Sequence, residues 1–71
     1  MNTKTAKLLM PGEVLMKNND PNRTGIVIEN RSAKQWIVIN WLTGLEYRDY
    51  STLRNIERWE PQDHETYNDS P

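Results

Sequence analysis

Between residues 14 and 59 the apolar positions recur with a period of two, and no stretch carries them at the i, i+3, i+4, i+7 spacing of a helix that buries one face. Side chains of an extended segment alternate between its two sides, so this pattern predicts strands. Pro11-Gly12 makes a turn, after which Val14 and Met16 point one way and Glu13, Leu15 and Lys17 the other. Asn18-Asn19-Asp20-Pro21-Asn22 are all turn formers and predict a polar loop. Gly25 then opens GIVIEN, whose β-branched Ile26, Val27 and Ile28 favour an extended backbone.

Arg31-Ser32-Ala33-Lys34 leads into QWIVINW, the most strand-prone segment, with Ile37, Ile39 and Trp41 on one side and Trp36 and Val38 on the other. Thr43-Gly44 supplies a tight turn into LEYRD, where Leu45 and Tyr47 alternate with Glu46 and Arg48. Tyr50-Ser51-Thr52-Leu53 has the length of one 3-10 turn, and RNIERW forms a fifth strand ending near Trp59. The expected core is Val14, Met16, Ile26, Ile28, Ile37, Ile39, Trp41, Leu53 and Ile56. Five short strands with small connections cannot stack as two large sheets, so the expected fold is all-β, closed into a small five-stranded barrel. Residues 1–10 form an N-terminal segment in which Leu8 and Leu9 are placed as a lid over one open end.

Composition narrows this picture. At 71 residues one domain is the ceiling, and a hydrophobic fraction of 35% allows a core of marginal size. A marginal core gains from a second copy, so a homo-oligomer is among the expected arrangements. The absence of cysteine removes disulfides, thiolate metal sites and a thiol nucleophile, and fits a reducing cytoplasm. The apolar run at residues 8–10 is far short of a signal-peptide core or a membrane span, so a soluble cytoplasmic chain with no membrane partner is expected. The net charge of -1 hides an asymmetry: residues 1–59 hold all nine Lys and Arg against six acids, whereas residues 60–71 hold four acids and no base. That last segment is too polar to offset its ordering entropy and is expected to be a disordered acidic tail outside the fold of residues 11–59.

The order PGEVLM, polar loop, GIVIEN, WIVINWLTG, YSTLRNIERW resembles the SH3-like β-barrel family. It is similar in particular to the very short SH3-like proteins of tailed bacteriophages, and more loosely to KOW and Tudor-type modules. The resemblance spans residues 11–59 and implies an SH3-like barrel with a single 3-10 turn before the last strand. It also implies a phage accessory protein, working in the host cytoplasm or the virion. The aromatic cluster that reads PxxP ligands in eukaryotic SH3 domains has no counterpart here, so proline-rich peptides are not implied.

Chemistry-bearing groups are sparse. The single histidine, His64, lies in the expected tail, where a flexible Asp63-His64-Glu65 cannot hold an acid-base or metal geometry. The three glycines are far apart, so no phosphate-cradling loop is present. No catalytic residue, metal or cofactor is therefore expected. The aromatic and basic set is more informative, because Trp, Tyr and Arg are the residues enriched at binding hot spots. The expected partner-binding residues are Trp36, Val38, Arg48, Tyr50, Arg54, Arg58 and Trp59, supported by Arg31 and Lys34. Docking on a larger protein is the preferred reading. The alternative is single-stranded nucleic acid, with bases stacked on exposed aromatics and arginines on phosphate.

Overall fold

A computed structural model describes residues 1–59. The expected acidic tail and His64 lie outside the described residues. Five antiparallel strands form one sheet: β1 (Val14–Lys17), β2 (Asp20–Arg31), β3 (Trp36–Trp41), β4 (Gly44–Asp49) and β5 (Ile56–Arg58). Their spatial order is β4-β3-β2-β1-β5, which leaves β4 and β5 as the two edges. A 3-10 turn (Tyr50–Thr52) precedes β5, and one helical turn, α1 (Thr3–Ala6), precedes β1. Asn2 caps that turn by accepting a hydrogen bond from the Thr5 amide at 2.9 Å.

Turn chemistry explains the connections. Pro11 followed by Gly12 at φ +96° has the form of a type II turn, closed by the Glu13 amide on the Met10 carbonyl at 3.1 Å. The polar run after β1 is not all loop. Asn18 and Asn19, both near φ +55°, make a two-residue hairpin turn that places Lys17 opposite Asp20, so β2 already starts at Asp20. β2 is twelve residues long and is broken by irregularities in its pairing with both neighbours, the second between Val27 and Glu29 opposite β3.

The pairing register sorts side chains into two faces. The inner face carries Leu15, Gly25, Val27, Ile37, Ile39 and Trp41, and with Ala6, Leu9, Tyr50, Leu53 and Ile56 it makes the core. This corrects the expected core in β1 and β2. There Leu15 and Val27 are the buried residues, Val14 and Met16 are half-buried, and Ile26 and Ile28 are 45% and 47% exposed. The cause lies at Gly25, where a Cβ would meet Trp41 Cε3 at 2.5 Å. Only a residue without a side chain lets β2 pass under the indole, which fixes Gly25 and Val27 on the inner side.

Of the two N-terminal leucines, Leu9 is buried and Leu8 is 70% exposed. The segment is tied down by Asn30, whose side-chain amide donates to the Ala6 and Leu9 carbonyls at 2.9 and 2.8 Å. No helix among the described residues is long and apolar enough to cross a membrane.

Candidate functional site

The outer face of the sheet is unusually apolar. Cross-strand partners in an antiparallel pair share a face, so the β3–β4 register puts Trp36, Val38 and Asn40 beside Asp49, Tyr47 and Leu45. On the β2 side the same face receives Arg31, Glu29 and Ile26. Leu45 is 65% and Tyr47 72% exposed, and Ile26 and Ile28 are exposed nearby. The Trp36 and Tyr47 rings are 5.6 Å apart and tilted by 44°, a favourable aromatic arrangement. The Arg31 guanidinium lies 5.7 Å from the Trp36 ring centre. With Arg48 and Asp49 the two rings line a shallow cavity of about 290 Å³.

The seven residues singled out from the sequence do not form one cluster. Trp36 is half-buried on the outer face, and Val38, between Glu29 and Tyr47, is 5% exposed. Tyr50 is a core residue, 3% exposed, and its hydroxyl donates to Asn30 Oδ1. Burial raises the Tyr50 phenol above its ordinary pKa, against the Asn30 hydrogen bond, which lowers it. Arg48 sits on the inner side of β4, donating to the Thr52 carbonyl at 2.7 Å and pairing with Glu46 at 3.1 Å. Arg54, Arg58 and Trp59 lie at the β5 end, where Arg58 pairs with Glu13 at 3.0 Å and the Trp59 amide donates to the Val14 carbonyl. β4 and β5 stand at opposite ends of the strand order, so Arg58 and Trp59 belong to a different strand edge from Trp36, Val38 and Arg48.

Tyr47 and Leu45 belong with Trp36 and Val38 on the outer face. Their signal was in the sequence: a two-residue Leu42-Thr43 turn makes Trp41 pair with Gly44, which in turn sets Tyr47 against Val38 on the Trp36 side.

A second concavity, about 340 Å³, is lined by Lys17, Asn22, Arg23, Thr24, Trp41, Leu42 and Thr43. Lys17 Nζ lies 4.7 Å from the Trp41 ring centre, and the indole N–H donates to Glu46 at 2.7 Å. Burial pushes the Glu46 carboxyl up, but the hydrogen bonds from Trp41 and Arg48 and the charges of Arg48 and Lys17 outweigh it and leave it below its ordinary pKa. Trp41 is 7% exposed, packed over Gly25 and covered by Lys17, so its ring offers little surface for stacking a base.

Ion pairing neutralises much of the basic set. Arg23 pairs with Asp20, Arg31 with Glu29, Arg48 with Glu46 and Arg58 with Glu13. Exposed pairs of this kind add little stability, yet each removes a positive charge from the field a phosphate backbone would meet. Among the described residues no three His, Cys, Asp or Glu side chains converge as metal ligands would. No protein-family profile, curated protein or solved structure matches the chain.

Proposed function

We propose that this chain is a small non-catalytic binding module that docks on a larger protein through the outer face of β2, β3 and β4. The observation that carries this reading is the exposed apolar surface of Ile26, Ile28, Leu45 and Tyr47 around the half-buried Trp36. Scattered exposed leucines are ordinary, but apolar and aromatic side chains gathered on one face with paired charges at its border have the make-up of a protein interface. The strand order β4-β3-β2-β1-β5, the long bulged β2 and the 3-10 turn before β5 support reading the fold as an SH3-like barrel. On that resemblance the setting is a phage accessory protein, and the partner a host protein or a virion component.

Nuclease treatment separates this function from nucleic-acid binding. The tagged protein captured from its native host should retain one stoichiometric protein partner after nuclease digestion. It should pass unretained over immobilised single-stranded DNA and RNA at low salt. Retention on either polymer that falls steeply with added salt, together with loss of all protein partners on digestion, would overturn the proposal in favour of nucleic acid.

A further inference from the structure

The two edges of the sheet differ in how they are closed. β5 has three residues, and the carbonyls of Ile56, its first residue, and of Leu53, just before it, accept hydrogen bonds from the Met1 ammonium at 2.9 and 2.8 Å. β4 has six residues, and none of the strands among the described residues pairs with its outer side. It carries neither proline nor lysine, two of the usual devices that keep an edge from pairing.

The hydrogen-bond phase of β4 is fixed by one contact. The Tyr50 amide donates to the Gln35 carbonyl at 2.9 Å, and the register continues without a break from Trp36↔Asp49 to Trp41↔Gly44. Antiparallel partners alternate between hydrogen-bonded and non-hydrogen-bonded pairs. Arg48, Glu46 and Gly44 therefore turn their backbone groups toward β3, and Leu45, Tyr47 and Asp49, all exposed, turn theirs to the edge, where the Asp49 carbonyl already accepts from the Thr52 hydroxyl at 2.7 Å and keeps a second lone pair.

We propose that a second copy of this chain adds to this edge, β4 to β4 and antiparallel about a two-fold axis at Tyr47. Such an interface is isologous, so it must be complementary to itself. Because Leu45, Tyr47 and Asp49 are the outward residues, they must face one another, which restricts the central registers to three. Centring the axis on Glu46 sets two carboxylates face to face, and centring it on Arg48 does the same for two guanidiniums. Centring it on Tyr47 pairs Leu45 with Asp49 of the second copy and Tyr47 with Tyr47 of the second copy through the backbone. Glu46 then falls opposite Arg48 of the second copy, at the closer non-hydrogen-bonded spacing, and the relation repeats by symmetry. The existing Glu46–Arg48 pair of each copy, 3.1 Å long, thus lies head to tail against the other. On the outer face the Trp36–Tyr47 ring pairs of the two copies join into one aromatic strip. The backbone edge and the inner-side charges carry this dimer, which shares Leu45 and Tyr47 with the proposed docking face but does not depend on that function.

The chain lacks cysteine, so single cysteines report the register. Tyr47→Cys sits opposite itself at about 5.5 Å between Cα atoms, within disulfide range. Leu45→Cys lies four residues from its own symmetry mate, about 13 Å away, and cannot bridge. Mild oxidation is expected to convert most of the Tyr47→Cys protein to a covalent dimer and to leave Leu45→Cys monomeric. For the protein without cysteines, sedimentation equilibrium should show a mass rising with concentration from 8.4 kDa toward twice that value. Arg48→Glu and Glu46→Arg should each weaken this association at least tenfold, and the double exchange should restore it. A concentration-independent monomer mass, equal crosslinking of both cysteine variants, or single exchanges without effect would overturn the proposal.

Discussion

Gly25→Ala is expected to lower stability by about 3 kcal/mol, the upper end of the usual range for an overpacked core, and Gly25→Val to prevent folding. The added Cβ would meet Trp41 Cε3 at 2.5 Å, Trp41 Cδ2 at 2.8 Å and Ile39 Cγ2 at 2.8 Å. None of these atoms is the free end of a flexible chain. Trp41 is further held by its hydrogen bond to Glu46 and by Lys17 over its ring, so it cannot yield without breaking both contacts. At roughly 0.05–0.15 kcal/mol per residue a fold of this size has only about 3–9 kcal/mol in total. Urea unfolding followed by tryptophan fluorescence measures the effect as a lower midpoint at unchanged slope. A Gly25→Ala variant that unfolds together with the wild type would show that the indole does not sit where described.

The second large effect is expected at Asn30. Its amide group donates to the Ala6 and Leu9 carbonyls, and its oxygen accepts from the Tyr50 hydroxyl, so one side chain joins the N-terminal segment, β2 and the 3-10 turn. Asn30→Asp keeps the shape and the acceptor but removes both donors and sets a carboxylate against two carbonyl oxygens. Buried groups left unpaired cost about 1–3 kcal/mol each, so with partial solvent access the sum is about 3 kcal/mol. Before global unfolding the N-terminal turn should loosen, because the Asn30 amide is what ties the Ala6 and Leu9 backbone to β2. Hydrogen exchange at the Ala6 and Lys7 amides, which bond the Asn2 and Thr3 carbonyls at 3.0 Å, should then accelerate while β3 amides stay protected. Unchanged exchange there would mean that Leu9 and Ala6 are anchored by packing alone.

Strands, the Pro11-Gly12 turn and the 3-10 turn were legible because each depends on local chemistry, period-two alternation, turn residues and β-branched runs, whereas the expected Thr43-Gly44 turn lies one residue earlier, at Leu42-Thr43, with Gly44 already paired to Trp41. What the alternation could not say is which side faces the core. In PGEVLMK the polar Glu13 and Lys17 share a side with Leu15, and in GIVIEN two isoleucines oppose one valine, so a count of apolar residues chooses the wrong face in both. The structure accommodates Glu13, just before β1, and Lys17 at its end by pairing Glu13 with Arg58 and laying Lys17 over Trp41. Trp41 and Gly25 decide the matter through a contact between β2 and β3, a relation that a strand read alone does not contain. The same ambiguity explains Tyr50, which looked like a surface aromatic on a turn and is instead the hydroxyl partner of Asn30. Apolar residues on both sides of β1 and β2 are what made their inner face hard to choose, and the apolar residues left on the outer side of the sheet are the feature proposed to bind.

A matched pair of exposed substitutions, one on each concavity, tests that proposal most directly. Tyr47→Glu places a charge in the outer apolar face, and Arg23→Glu, at a side chain 61% exposed, reverses one in the Lys17–Trp41 cleft. With both variants folded by their melting curves, nuclease-treated capture is expected to lose the protein partner with Tyr47→Glu and keep it with Arg23→Glu. Retention of the partner by Tyr47→Glu, with its loss on Arg23→Glu, would contradict the account and move the binding site to the cleft.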